Sequence, residues 1–186
     1  MRIFIGIKFD DSTHEEIERA LQPFKKISTP IKWVETKNIH LTLKFIGEVP
    51  GEKYSRIEDV LTSTDFNVGA FDLEISGFGK FGRGKELNIL WIGIVENEKL
   101  EDLYRRMEDA LAKIGIAKEE RLFKPHLTVG RNKKQYNFKP VFELLQEKKN
   151  MFVGKLRINS FQIFKSELFS SGPVYTILKE IAVDNT

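Results

Sequence analysis

His40-Leu41-Thr42-Leu43 returns as His126-Leu127-Thr128-Val129. An apolar run interrupted by His and Thr two positions apart predicts a β-strand, because strand side chains alternate between faces and residues i and i+2 share one. Each copy then presents one imidazole and one hydroxyl on a common face. Of the three histidines in the chain, two occupy these equivalent settings.

Working outward, the match extends far beyond the tetrapeptides. Ile3-Phe4-Ile5-Gly6-Ile7 parallels Leu90-Trp91-Ile92-Gly93-Ile94, and both predict buried strands with Gly at the same place. Each is followed by a polar turn and an amphipathic helix. In the first, Ser12 with Glu15 forms a capping-box signal, and Ile17, Leu21 and Phe24 are spaced for one face. In the second, Leu100, Leu103, Met107, Ala110, Leu111 and Ile114 form the stripe and Gly115 ends it. Gly6 precedes His40 by 34 positions and Gly93 precedes His126 by 33. A second helix follows each motif strand, from about Glu52 to Ser63 and from about Pro140 to Lys149. Leu73-Glu74-Ile75-Ser76-Gly77-Phe78-Gly79-Lys80-Phe81 then matches Leu156-Arg157-Ile158-Asn159-Ser160-Phe161-Gln162-Ile163-Phe164, with Leu, Ile, Phe and Phe in register. A last strand, about Pro173 to Ala182, closes the chain.

Three matched segments in one order indicate a divergent duplication, with repeats at about 1–86 and 87–186. The period is too long for a solenoid unit. The expectation is a single bilobal α+β domain over residues 1–186: two lobes of antiparallel sheet related by a pseudo-two-fold axis, helices on the outside, and a central cleft with one histidine on each wall. The halves are free to exchange strands. The stretch Gly77 to Lys85, with four glycines and three basic residues, reads as a tight turn or mobile loop rather than a linker.

Composition narrows the chemistry. Cysteine is absent, which excludes disulfides, thiolate metal sites and a cysteine nucleophile. The apolar run at Met1–Phe9 is too short to span a membrane and carries no cleavage pattern, so a cytoplasmic monomer away from membranes is expected. Thirty Lys and Arg against 27 Asp and Glu give a formal charge of +3, a weak lean toward anionic partners.

Two imidazoles and two hydroxyls suit displacement at phosphorus. One neutral imidazole takes a proton from the nucleophile and one imidazolium gives a proton to the leaving oxygen, each step typically contributing about 10²–10⁴ in rate. The threonine hydroxyls would hold the non-bridging oxygens, where charge concentrates. A two-histidine metal site is the competing chemistry, but it needs a further ligand. No Asp or Glu lies within three residues of His126, and Glu48 is eight beyond His40. No Gly-x-Ser-x-Gly elbow is present for a serine triad. His14, in the first turn of a charged helix, reads as a solvated surface residue.

Neighbouring side chains are further candidates. Lys44 shares strand parity with His40 and Thr42, and Lys124 shares it with His126. Either ammonium suits a bound phosphate, and either equally suits a solvated strand end. Arg131 points away from Thr128 by strict alternation, but a bulge at Gly130 would re-aim its guanidinium. Pro125 predicts an edge or cleft-lining strand. Phe45, Phe78, Phe81 and Phe123 flank the presumed cleft as candidates for base stacking, although parity places Phe45 and Phe123 opposite the histidines and toward the core.

The two His-x-Thr-x motifs, with Trp33 upstream, Phe45-Ile46-Gly47 after the first, and Phe123-Lys124-Pro125 and Arg131 around the second, resemble the 2H phosphoesterase superfamily. Within it they are similar to the bacterial and archaeal RNA 2′,3′-cyclic phosphodiesterases, also called 2′-5′ RNA ligases. The resemblance covers essentially the whole chain. It implies metal-independent hydrolysis, without a cofactor, of a 2′,3′-cyclic phosphate at an RNA end to a 2′-phosphate, with tRNA fragments among the candidate partners. It also implies His40 as proton donor and His126 as proton acceptor. Residue chemistry alone leaves that order open, since the motifs are equivalent. Three other functions stay open: 2′-5′ RNA ligation by the same site, non-catalytic binding of RNA ends, and phosphodiester hydrolysis of a small cyclic nucleotide.

Overall fold

The computed structural model describes residues 1–170 and 172–183. In chain order its elements are β1 (Arg2–Ile7), α1 (Asp11–Lys25), β2 (Lys32–Trp33), a 3₁₀ turn at Thr36–Asn38, β3 (Leu41–Glu48), α2 (Gly51–Ser63), β4 (Phe71–Phe81), β5 (Ile89–Ile94), α3 (Glu98–Ala112), β6 (His126–Arg131), α4 (Lys139–Glu147), β7 (Phe152–Ile158), β8 (Ser160–Phe169) and β9 (Gly172–Ala182). The strands make two antiparallel sheets, ordered β3-β1-β8-β9 and β2-β6-β5-β4-β7. This is the expected α+β class with two sheets.

Local signals set the helices. Ile17, Leu21 and Phe24 are buried along α1, and Leu100, Leu103, Met107, Ala110 and Leu111 along α3. The α1 cap falls on Asp10 rather than Ser12: its carboxylate accepts from the Thr13 amide at 2.8 Å, and Ser12 donates its hydroxyl to the same oxygen. A carboxylate outcompetes a hydroxyl at the positive end of the helix dipole. Asn97 caps α3 in the same way, accepting from the Leu100 amide at 3.0 Å.

The two sequence halves are interlaced. β8, from the second half, pairs with β1, and β4, from the first half, pairs with β5. The helices cross over too. Phe24 of α1 lies 4.8 Å from Phe78 of β4, and the Glu16 carboxylate fills the space above Gly154 of β7. On the other sheet, Lys44 of β3 pairs with Glu108 of α3, and Lys179 of β9 with Glu58 of α2. Each helix that follows the first strand of its half therefore packs with the sheet of the opposite half, and one continuous hydrophobic core unites them.

The segment Gly77–Lys85 is only partly a loop. β4 continues to Phe81, with Gly77 at φ +78° where any Cβ would strike the Lys149 carbonyl. Beyond it, Lys80 donates to the carbonyls of Gly82, Gly84 and Glu86 at 2.8–3.3 Å, which pins the turn.

Candidate active site

Both motif strands sit where the sheets are open. β3 is an edge strand of its sheet. Among the described residues, β6 is covered by β2 only at Gly130 and Arg131, and by the Val34 amide donating to the Val129 carbonyl, which leaves the His126–Thr128 half of that edge without strand pairing. The chain that leaves β2 runs through the 3₁₀ turn straight to His40, and β3 and β6 approach one another where the two sheets meet.

Each motif contains a β-bulge at the same step. The β1–β3 pairing passes from Gly6 opposite Thr42 to Ile5 opposite Lys44, so Leu43 is an extra residue. The β5–β6 pairing passes from Trp91 opposite Thr128 to Leu90 opposite Gly130, so Val129 is extra. A bulge shifts the parity of every later side chain. Leu43 and Lys44 are consequently both buried and Phe45 is exposed; Val129 and Gly130 are both buried and Arg131 is exposed. Arg131 thus joins the face of His126 and Thr128.

The same bulge sends Lys44 the other way. Its ammonium lies in the core, 2.6 Å from Glu108 and 2.9 Å from the Ala117 carbonyl, so it does not share the face of His40 and Thr42 that strict alternation predicts. Phe45 is turned outward, against the expectation of a core position. Phe123 stacks at 4.0 Å on Tyr104 at the edge of the core. Lys124 is exposed, and its carbonyl rather than its ammonium makes the contact to His126.

The two imidazoles are held identically. His40 Nδ1 lies 2.7 Å from the Asn38 carbonyl and His126 Nδ1 lies 2.7 Å from the Lys124 carbonyl, each two residues upstream. A carbonyl can only accept, so Nδ1 carries a proton in both rings and Nε2 is the nitrogen left for proton transfer. Thr42 Oγ1 lies 3.1 Å from His40 Nε2. Both rings also rest on aromatic floors built from equivalent positions of the repeat. Phe4 stacks on His40 at 4.7 Å with Phe164 at 5.9 Å; Trp91 lies 6.5 Å from His126 with Phe81 edge-on at 4.9 Å. Sequence reasoning missed Phe4, Trp91 and Phe164 as site residues. The signal was present, since Phe4 and Trp91 share strand parity with the conspicuous Gly6 and Gly93. Tyr175, edge-on to His40 at 5.1 Å, comes from β9 and has no counterpart in the repeat to reveal it.

Burial holds His40 below the ordinary imidazole range; the Asn38 carbonyl works against that, and the Arg131 guanidinium adds to it. Arg131 also acts on the Tyr175 hydroxyl, which burial pushes up. A residue of the second motif therefore exerts its charge on the histidine of the first, and the two motif strands share one electrostatic environment.

His14 departs from its expected place. Its Nε2 lies 3.0 Å from the Ile39 carbonyl and its ring is half-buried beside Phe9, so it braces the residue immediately before His40. Among the described residues, no group of three or more His, Asp or Glu side chains is placed to hold a metal ion, and no helix is long and apolar enough to cross a membrane.

The chain is 34% identical over 176 residues to the RNA 2′,3′-cyclic phosphodiesterase of Methanothermobacter thermautotrophicus, covering 95% of each. It is 31% identical to that of Methanocaldococcus jannaschii, covering 97% of this chain and 99% of the relative. Among solved structures, TT0787 of Thermus thermophilus superposes with a TM-score of 0.80 at 22% identity, covering 99% of this chain and 98% of that one. E. coli LigT complexed with 3′-AMP superposes with a TM-score of 0.79 at 22% identity and the same coverage. Residues 9–167 match the 2′-5′ RNA ligase superfamily, and the chain belongs to that family.

Proposed function

We propose that this protein hydrolyses 2′,3′-cyclic phosphate ends of RNA to 2′-phosphates by proton transfer between two histidines. The observation that carries the proposal is the duplicated clamp on Nδ1, which gives both imidazoles the same tautomer and leaves Nε2 as the proton-transfer nitrogen of each. The relatives named RNA 2′,3′-cyclic phosphodiesterase, 31–34% identical over nearly the whole chain, support the substrate.

In this reaction His126 Nε2 takes a proton from water as its oxygen attacks phosphorus. Charge grows on the non-bridging oxygens, where the Thr42 and Thr128 hydroxyls donate and Arg131 supplies a fixed positive charge. The P–O3′ bond breaks and His40 Nε2–H protonates the departing O3′, leaving phosphate on O2′. An anionic phosphate beside His40 opposes Arg131 and favours the protonated ring that this role requires. Lys124, exposed two residues before β6, adds charge for the approach of an anionic end. Lys44 is bound to Glu108 and takes no part. A 5′-hydroxyl in place of water would give a 2′-5′ junction through the same steps.

The test is a product assay on RNA ending in a 2′,3′-cyclic phosphate, with and without chelator and with an added 5′-hydroxyl RNA. Release of a 2′-phosphate end, undiminished by chelator, is expected. Exclusive 3′-phosphate, or tight binding without turnover, would overturn the proposal.

A further inference from the structure

The formal charge of +3 conceals an uneven distribution. The turn between β4 and β5 (82–88), the segment between β6 and α4 (132–138) and the first residue of β2 together hold Lys32, Arg83, Lys85, Lys133 and Lys134 against one carboxylate, Glu86. That local excess is larger than the whole chain's, so the remainder leans acidic and the positive field is concentrated here. All five cations are exposed, and among the described residues none of them is in an ion pair.

The strand pairing puts this cluster at one end of the cleft. Lys32, Arg131, Ile89 and Phe81 stand directly opposite one another across β2, β6, β5 and β4, and directly opposed residues of antiparallel strands point to the same side. Phe81 meets the His126 ring edge-on, so this rung, Lys32 included, lies on the face that carries His126. The two loops begin just past it. Five residues of β6 separate the rung from His126, roughly 15 Å, which is farther than one nucleotide extends from its own terminal phosphate.

The cluster is also built. Asn132, only 7% exposed, donates through Nδ2 to the Leu87 carbonyl at 3.0 Å and the Lys134 carbonyl at 2.7 Å, and its amide donates to the Asn88 carbonyl. One buried side chain thus staples the loop of Arg83 and Lys85 to the loop of Lys133 and Lys134. Lys80 pins the first loop from within. The Tyr136 hydroxyl donates to the Ser28 carbonyl at 2.8 Å, which ties the second loop to the chain that enters β2 at Lys32.

We infer that this shelf of five cations binds the phosphates of single-stranded RNA on the 5′ side of the cyclic end, so that the protein takes oligonucleotides in preference to a lone cyclic nucleotide. Basic tracks that follow a backbone hold single strands without reading their sequence. A polyanion that already ends in the cleft is favoured over a lipid surface, because one chain reaches both the histidines and the shelf along a common face. The inference rests on the phosphodiesterase proposal and adds to it the length of the substrate.

The test compares an octanucleotide ending in a 2′,3′-cyclic phosphate with a nucleoside 2′,3′-cyclic phosphate, at several salt concentrations, for the unaltered protein and for Lys85→Gln/Lys133→Gln/Lys134→Gln. The unaltered protein is expected to favour the octamer by at least about 10-fold in kcat/KM at low salt, with the advantage shrinking as salt rises. The triple variant should lose that advantage and reduce the log–log salt slope by about 2, at roughly 0.7 per phosphate contact removed, while handling the mononucleotide as the unaltered protein does. Equal rates on the two substrates for the unaltered protein, or an advantage that survives the triple change, would overturn the shelf. So would an absent length effect together with charge-dependent binding to phosphatidylserine vesicles, which would assign the cations to a membrane surface. If the unaltered protein turns over neither substrate, the phosphodiesterase proposal fails instead. Fluorescence anisotropy with an octamer ending in a 2′-phosphate then reads the shelf alone: weaker binding by the triple variant is expected, and unchanged binding would contradict the inference.

Discussion

Lys44 of β3 and Glu108 of α3 form an ion pair at 2.6 Å with only 9% and 7% of their side chains exposed. The carboxylate also accepts from the Glu119 amide at 2.9 Å, and the ammonium also donates to the Ala117 carbonyl. The strand of the first motif is thereby fastened to the loop that leads into the second. Breaking a buried pair from one side strands the other charge, at a typical cost of about 3–5 kcal/mol. Lys44→Met should destabilise the protein by that order in urea unfolding, and Lys44→Met with Glu108→Leu should recover much of the loss. A double variant as unstable as the sum of its parts would mean the two charges are not coupled.

Arg131 should add to the lowering of the His40 titration that burial begins. Burial, the larger cause, and the Arg131 charge both hold this imidazole below the usual value. In an NMR titration His40 should therefore ionise below about 6.5. Arg131→Gln should move it upward without restoring the ordinary value, because burial persists. The sign for stability follows. With the folded pKa below the unfolded one, the unfolded chain binds more protons, so stability falls as pH drops below about 6.5 and levels off below the folded pKa. His40→Gln should flatten that decline; an unchanged acid limb would show that His40 is not its source.

The two threonines should matter to the transition state and little to the fold. Thr42 is exposed and Thr128 half-buried, so a valine at either place keeps the strand shape and removes one donor. Loss of a single oxyanion donor typically costs about 10²–10³ in kcat. A loss of that order with a nearly constant KM is expected for Thr42→Val and Thr128→Val. An effect confined to KM would assign them to ground-state binding.

The floor beneath His126 offers a structural test. A Cβ on Gly79 would run into the Trp91 ring, and Trp91 underlies His126. Gly79→Ala should cost roughly 1–3 kcal/mol through overpacking and lower kcat by displacing the imidazole. An activity equal to that of the unaltered protein would show that Trp91 yields without moving His126.

The α+β class and the two antiparallel sheets are legible in the sequence because they rest on periodicity and on a repeated pattern. The bulges are not. An inserted residue leaves no mark on an apolar run such as Leu41–Leu43, yet it inverts everything after it. Lys44 reads as a phosphate contact or a solvated strand end and lies in the core, whereas Phe45 leans toward core by parity and is turned outward. For Arg131 the preceding Gly130 is signal enough to raise the bulge beforehand. His14 is misplaced for another reason: its partner, the Ile39 carbonyl, belongs to a turn 25 residues on, and no local pattern announces a side-chain bond to a distant backbone group. The crossing of α1 and α3 between sheets is likewise a matter of packing that amphipathic spacing does not encode.

The central claim is that His40 and His126 act on one phosphorus, and the most direct measurement is single-turnover hydrolysis of a cyclic-phosphate RNA end by His40→Ala, His126→Ala and the double variant. Each single change should cost at least about 10² in rate, and the double change little more than the worse single one, since either loss disables the shared step. Near-full activity in either single variant, with the cyclic end still converted to a 2′-phosphate, would contradict it.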